Sequence, residues 1–179
     1  TLLNGQPSNN LFLYDSSFEV TQNTQMFGAE ANWVAKSPYE QGFVVRPMAG
    51  FRFVDFHERL FQRGTFNQQG LLDPPLVSDI DSDANNRIYA PQIGLRLEVV
   101  NRWLTVGFEP KIAFGVNTYD AMVRTERLRS PGDPAVQTTE SGSKFAPIGD
   151  FSLYGKVNLR DNFSLFGSYQ IMVASGISR

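Results

Sequence analysis

The sequence predicts an all-β protein, an antiparallel up-and-down transmembrane β-barrel or a large part of one. Three observations predict it. The first is alternation: between residues 102 and 127, Leu104, Val106, Phe108, Pro110, Ile112, Phe114 and Val116 alternate with Thr105, Gly107, Glu109, Lys111, Ala113, Gly115 and Asn117. A helix would space its apolar residues by three and four, so this period of two is a strand. The second is length. Strands in globular sheets usually run roughly five or six residues, whereas one that crosses hydrocarbon needs about nine to eleven tilted residues and then projects beyond it. The third is that connections alternate short and long, as the two ends of an outer-membrane barrel do.

Composition agrees. A chain of 179 residues accommodates one domain, 1–179, or a fragment of a longer barrel, and its opening on Thr1 points to a processed or truncated chain. A net charge of -2 argues against a nucleic-acid partner, which needs a clustered positive field. The absence of cysteine excludes disulfides and thiol chemistry. Fifteen Phe and fifteen Gly suit aromatic strands and tight turns. No stretch reaches the roughly eighteen apolar residues of a membrane helix. The mean hydropathy of -0.25 does not count against a barrel, because lipid-facing and interior residues average out along each strand.

Taken in order, residues 11–22 form a strand with Phe12, Tyr14, Phe18 and Val20 on one parity. A turn at Asn23 and Thr24 leads to a strand at 25–36, where Phe27, Ala29, Ala31, Trp33 and Ala35 oppose Gly28, Glu30 and Asn32. A short turn at 37–41, containing Pro38, precedes a strand at 41–62 with Phe43, Val45, Pro47, Ala49, Phe51 and Phe53 on one face. Beyond Phe53 that face turns polar through Asp55, His57 and Arg59, as though the strand had left an apolar medium. Residues 63–85 read as a long loop, 86–100 as a strand, and Asn101–Arg102 as the shortest turn. The long strand at 103–127 follows, then a second long loop at 128–142 rich in Ser, Pro and Gly. Strands at 145–160 and 163–173 flank a turn at 160–162 and complete about seven, or eight if one precedes residue 11.

Loop length gives an internal check, because a two-residue hairpin loop pairs opposite parities and a three-residue loop pairs equal ones. The apolar face switches from odd to even across Asn101–Arg102 and stays odd across 37–41 and 160–162, as those lengths require. Pairing Val100 with Trp103 sets Gln92 opposite Lys111 and Arg96 diagonal to Glu109. Pairing Ala35 with Phe43 sets Asn32 opposite Arg46.

The segments GAE (28–30), AGFRFVDFHERL (49–60), NNRIYAPQIGLRLE (85–98), KIAFGVN (111–117) and LFGSYQIM (165–172) resemble the putative β-barrel porins of Planctomycetes, over most of the chain from Gly28 onward. The resemblance implies a cell-envelope protein in the outer membrane of a Gram-negative-type bacterium, without catalytic residues.

In such a barrel the interior face carries Glu30, Asn32, Arg46, Arg52, Gln92, Arg96, Glu98, Glu109, Lys111, Asp150, Lys156 and Arg160, and Phe51, Leu95, Phe108, Phe114, Phe151 and Leu165 face lipid. A polar interior either filters solutes or is zipped shut by ion pairs. Gly50, Gly94, Gly107 and Gly115 leave room there for water or for an inward loop. Trp33, Phe43, Tyr89, Tyr119, Phe145 and Phe163 are candidates for aromatic girdles. Asp79, Asp81 and Asp83 have the one-three-five spacing of a calcium loop, but Ala84 stands where a Gly is wanted and the twelfth-position Glu is missing. Apart from calcium in an extracellular loop, no metal or cofactor is expected. His57, the single histidine, has Asp55 on its own face but no nucleophile motif accompanies it. The expected function is porin-like passive transport of small solutes or a structural role in the outer membrane. The lipid bilayer is the partner, with a second copy or other envelope proteins as further candidates. The alternative is a soluble β-sandwich or lipocalin-like barrel with the apolar face turned inward.

Overall fold

The computed structural model describes residues 14, 16–39, 41–67, 70, 74–128, 132, 134–160 and 163–178. They form one six-stranded sheet, β1 (Ser17–Val34), β2 (Gly42–Phe66), β3 (Leu76–Val100), β4 (Leu104–Glu126), β5 (Val136–Arg160) and β6 (Phe163–Ala174). Every neighbouring pair is antiparallel and the spatial order equals the chain order, an up-and-down meander. No helix among the described residues is long and apolar enough to cross a membrane, which leaves crossing by strands untouched. The sheet curls without closing, so it is part of a barrel: side chains of β1 reach β4 and those of β2 reach β5, while β1 and β6 are unpaired edges among the described residues.

The two faces separate as the alternation requires. Phe51, Leu95, Phe108, Phe114, Phe151 and Leu165 all lie exposed on the convex face. The soluble alternative needed Phe108, Phe114, Phe151 and Leu153 inside, and they are 40–54% exposed. The convex apolar band runs from Phe43 to Phe53, Tyr89 to Val99, Leu104 to Val116 and Phe145 to Val157. Each stretch is 11 to 13 residues long. Its upper limit is a single row across the sheet, because Ala29 pairs with Phe53, Phe53 with Tyr89, Tyr89 with Val116 and Val116 with Phe145.

Above that row the pattern inverts. On β2, Asp55, His57, Arg59 and Arg63 point outward while Val54, Phe56 and Leu60 turn in, and on β3 Asp79, Asp81 and Asp83 point outward while Leu76, Ile80 and Ala84 turn in. This inversion accounts for three corrections. Among the described residues there are six strands, not seven or eight: no turn forms at Asn23–Thr24, and β1 passes straight through, paired residue for residue with β2 from Ser17 to Val34. The switch from Phe18 and Val20 to Phe27 and Trp33 marks a change of surroundings within one strand. The start of the predicted 11–22 strand lies outside the described residues. Much of the loop expected at 63–85 is strand, since β2 runs on to Phe66 and the acidic run is the first half of β3 from Leu76, and the loop expected at 128–142 gives way to β5 from Val136.

Two registers also differ from expectation. Glu30 faces Arg52, and Asn32 faces Gly50 rather than Arg46. Val100 faces Thr105, with Asn101 N–H donating to Leu104 O at 2.8 Å, so the tight turn is Arg102–Trp103 and Lys111 falls opposite Gly94 rather than Gln92. Both slips are by an even number of residues, which keeps every side chain on its face, and alternation alone does not distinguish them.

Across the outer half of β2 and β3 runs a ladder of opposite charges. Arg63 Nε donates to Asp79 Oδ1 at 2.8 Å, Arg59 donates to both oxygens of Asp81 at 3.0 and 2.6 Å, His57 Nε2 lies 3.6 Å from Asp83 and Arg87 lies 3.5 Å from Asp55. The three aspartates proposed for calcium therefore stand on an extended strand, where alternate residues are about 7 Å apart and do not wrap one ion. Among the described residues no group of three His, Asp or Glu side chains converges as a metal site. Hydrogen bonds from Arg59 hold the Asp81 carboxyl below its usual range. A carboxylate whose pKa is lowered by folding contributes stability above its unfolded pKa of about 3.9 and loses it as pH falls through the folded value. Acidification below about pH 4 should therefore loosen this outer end first, and Asp81→Asn should remove that part of the response; the carboxyl resonance of Asp81 followed by NMR titration checks both. An Asp81 that titrates at the ordinary value would contradict it.

Candidate functional site

The concave face of the band holds most of the polar residues singled out from the sequence. Arg52 on β2 sits at the centre, donating to Glu30 of β1 and to Asp150 of β5. Lys111 of β4 completes the group, with Nζ 3.0 Å from Glu30 Oε1 and 3.7 Å from Asp150 Oδ2. Asp150 is 1% exposed, Lys111 4% and Arg52 5%, so two cations and one carboxylate share a space almost free of solvent, with the half-open Glu30 carboxylate closing it from β1. Burial of this kind is tolerated only when each charge is paired and its remaining hydrogen-bonding capacity is met. Amides supply the rest: Gln92 donates to Asn32 at 2.6 Å and to Glu30 at 3.3 Å, and Gln170 donates to Asp150 at 2.6 Å.

Nearer the short turns, Arg46 bonds Glu98, Tyr154 Oη donates to Glu98 Oε1 at 2.7 Å and Arg96 bonds Glu109. The Arg96–Glu109 contact between β3 and β4 was expected from alternation, and the slipped register brings it about. Glycine provides the room. A Cβ on Gly107 would meet the Tyr154 ring at 2.1 Å, and one on Gly94 would meet Lys111 Cγ at 2.8 Å. At Gly94 and Gly107 the space expected for water or a loop is thus occupied by side chains of the neighbouring strand. Lys156 and Arg160 lie apart, exposed at the short-turn rim.

On the opposite side of the charge network the interior becomes apolar, with Val54, Ile88, Ala90, Ala113, Ala146 and Ile148 packed together against Met172, Ala174 and Ile177. Above this layer residues 175–178 leave β6 and cross the concave face. Asn86, fully buried, donates to Ser178 O at 2.9 Å and accepts from Ser178 N at 2.8 Å, Asn117 donates to Gly176 O at 2.9 Å and Lys144 donates to Ser178 Oγ at 2.8 Å. Gly176 makes the turn possible, with a φ of +72° and a position where a Cβ would lie 2.3 Å from Phe145 O. Tyr119, expected in an aromatic girdle, is instead buried on this face and donates to Glu140 at 2.8 Å. Sequence reasoning missed Asn86, Asn117, Tyr154 and Gln170 as site residues. Their inward parity was visible, but nothing marked the segment that Asn86 and Asn117 hold.

The interior is therefore a stack: a cationic rim, a belt of ion pairs, an apolar layer and an inward-folded segment. The family profile described as putative beta barrel porin-7 matches residues 9–179. The chain belongs to that family. In this beta barrel porin-7 chain the match covers all six strands, so the charge network and the apolar band both lie within the family's extent. No curated protein and no solved structure matches the chain significantly.

Proposed function

We propose that this chain forms the wall of an outer-membrane β-barrel that lets small polar solutes pass along its concave face, with the Glu30–Arg52–Lys111–Asp150 group as the narrowest level. The observation that carries the reading is the apolar band, level from strand to strand and close to the height of hydrocarbon. A soluble monomer rarely exposes a contiguous apolar patch beyond a few hundred Å², and here the convex face of the band is one across neighbouring strands. The family name supports a porin. The unpaired edges of β1 and β6 would have to be paired within lipid, since nothing there satisfies free backbone groups. No catalytic role is assigned: His57 faces outward above the band, beside Asp83.

A structural role is the second reading, favoured by the packed layers of the interior. Reconstitution separates the two. Discrete conductance steps in planar bilayers are expected for a passage. An intact, lipid-embedded protein that gives no steps would leave the structural role, and a chain that stays monodisperse without detergent would overturn the membrane reading altogether.

A further inference from the structure

The interior charges do not cancel evenly. Within the band the concave face carries five cations, Arg46, Arg52, Arg96, Lys111 and Lys156, against four carboxylates, Glu30, Glu98, Glu109 and Asp150, and Arg160 adds a sixth cation at the short-turn rim, although the chain as a whole is net -2. Four of the cations are held by carboxylates. The excess is Lys156 and Arg160, neither of which has an ion-pair partner among the described residues. Both line one open cavity of about 970 Å³ at the short-turn rim, together with Arg102, Trp103, Asn158, Leu159, Phe163 and Ser164. Among the described residues no carboxylate lines it. The nearest acid in the chain, Asp161, falls outside the described residues.

The cavity is anchored at the rim. Asn158 N–H donates to Trp103 O at 2.9 Å and its side chain donates to Arg102 O at 3.2 Å, which ties the β3–β4 turn to β5. The Arg102 guanidinium lies over the Trp103 ring, 5.2 Å from its centre. Three cations around one space repel each other, and within the band every cation on this face other than Lys156 is held by a carboxylate. Donors of this kind, an ammonium, two guanidiniums, an amide and a hydroxyl, match the oxygens of a tetrahedral or carboxylate anion. We infer that this rim cavity binds small oxyanions of the phosphate class and biases passage through the barrel toward anions, as rings of Lys and Arg do in anion pores. The second half of that statement rests on the proposed passage; the first does not.

Two measurements on the full chain test it. In micelles of uncharged detergent, inorganic phosphate titrated against the fluorescence of Trp103, with Trp33→Phe removing the other tryptophan, should give a saturable change. Lys156→Gln and Arg160→Gln should each weaken it by about tenfold, the loss of one charge-assisted contact, whereas Lys156→Arg should retain it. Vesicles of phosphatidylcholine with and without phosphatidylglycerol separate the sources. A response that needs phosphatidylglycerol and disappears in the Gln variants assigns the site to a lipid phosphate, and a response to free phosphate assigns it to a solute. No response to either, or one unchanged in the double Gln variant, overturns the site. In bilayers under a salt gradient the reversal potential should favour the anion and shift toward the cation in Lys156→Glu with Arg160→Glu. Conductance steps whose reversal potential ignores those substitutions would overturn the bias while leaving the passage intact, and absence of steps would remove the passage while the phosphate titration still decides the cavity.

Discussion

Replacing Arg52 by Met should lower the stability of the folded chain in detergent or lipid by about 3–5 kcal/mol, the usual cost of removing one partner from a buried charge group. Arg52 is the contact common to Glu30 and Asp150, and without it two carboxylates compete for the Lys111 ammonium in a space where Asp150 is 1% exposed. Asp150→Leu combined with Arg52→Met should regain much of the loss, because an apolar pair of similar size carries no desolvation debt. Urea unfolding followed by tryptophan fluorescence measures both. A midpoint that does not move in the single variant would mean the group is open to water and contributes little.

Phe114→Arg should cost about 2–4 kcal/mol in a bilayer, whereas Thr118→Arg, on the same strand and face, should cost no more than about 1 kcal/mol. Phe114 lies inside the apolar band and Thr118 just above its upper row. The comparison is sharp because the two positions are exposed in the protein alike. If water surrounded both, neither substitution would matter much. Equal effects, measured by reversible folding into vesicles, would therefore overturn the membrane placement.

Much of this fold was legible because a strand reports its surroundings every second residue. Phe108, Phe114, Phe151 and Leu165 faced out and Glu109, Lys111 and Asp150 faced in as alternation required. Alternation is blind to two things. It does not fix register to better than an even step, which is why Glu30 met Arg52 and not a neighbour of Arg46. Nor does it distinguish a turn from a strand that passes from one medium to another, since either reverses the apolar face; that ambiguity produced a false turn at Asn23–Thr24 and hid the acidic half of β3 in a loop. The inward segment at 175–178 was illegible for a different reason. Its anchors Asn86 and Asn117 are polar residues on an interior face, indistinguishable in sequence from others that bond only across the sheet.

The ladder along the outer half of β2 and β3 bears on how such a wall could be put in place. In the proposed outer-membrane placement, with the short turns left behind, these ends are the ones that would travel through hydrocarbon, and a lone Arg or Asp at the midplane costs about 2.5–3.5 kcal/mol on insertion scales. Arg63 with Asp79, Arg59 with Asp81 and Arg87 with Asp55 form within a single hairpin joined by residues 67–75. A hairpin that zips before it crosses presents paired charges instead of isolated ones. The order of events during insertion, pairing first and transit second, would then be written in the spacing of these residues.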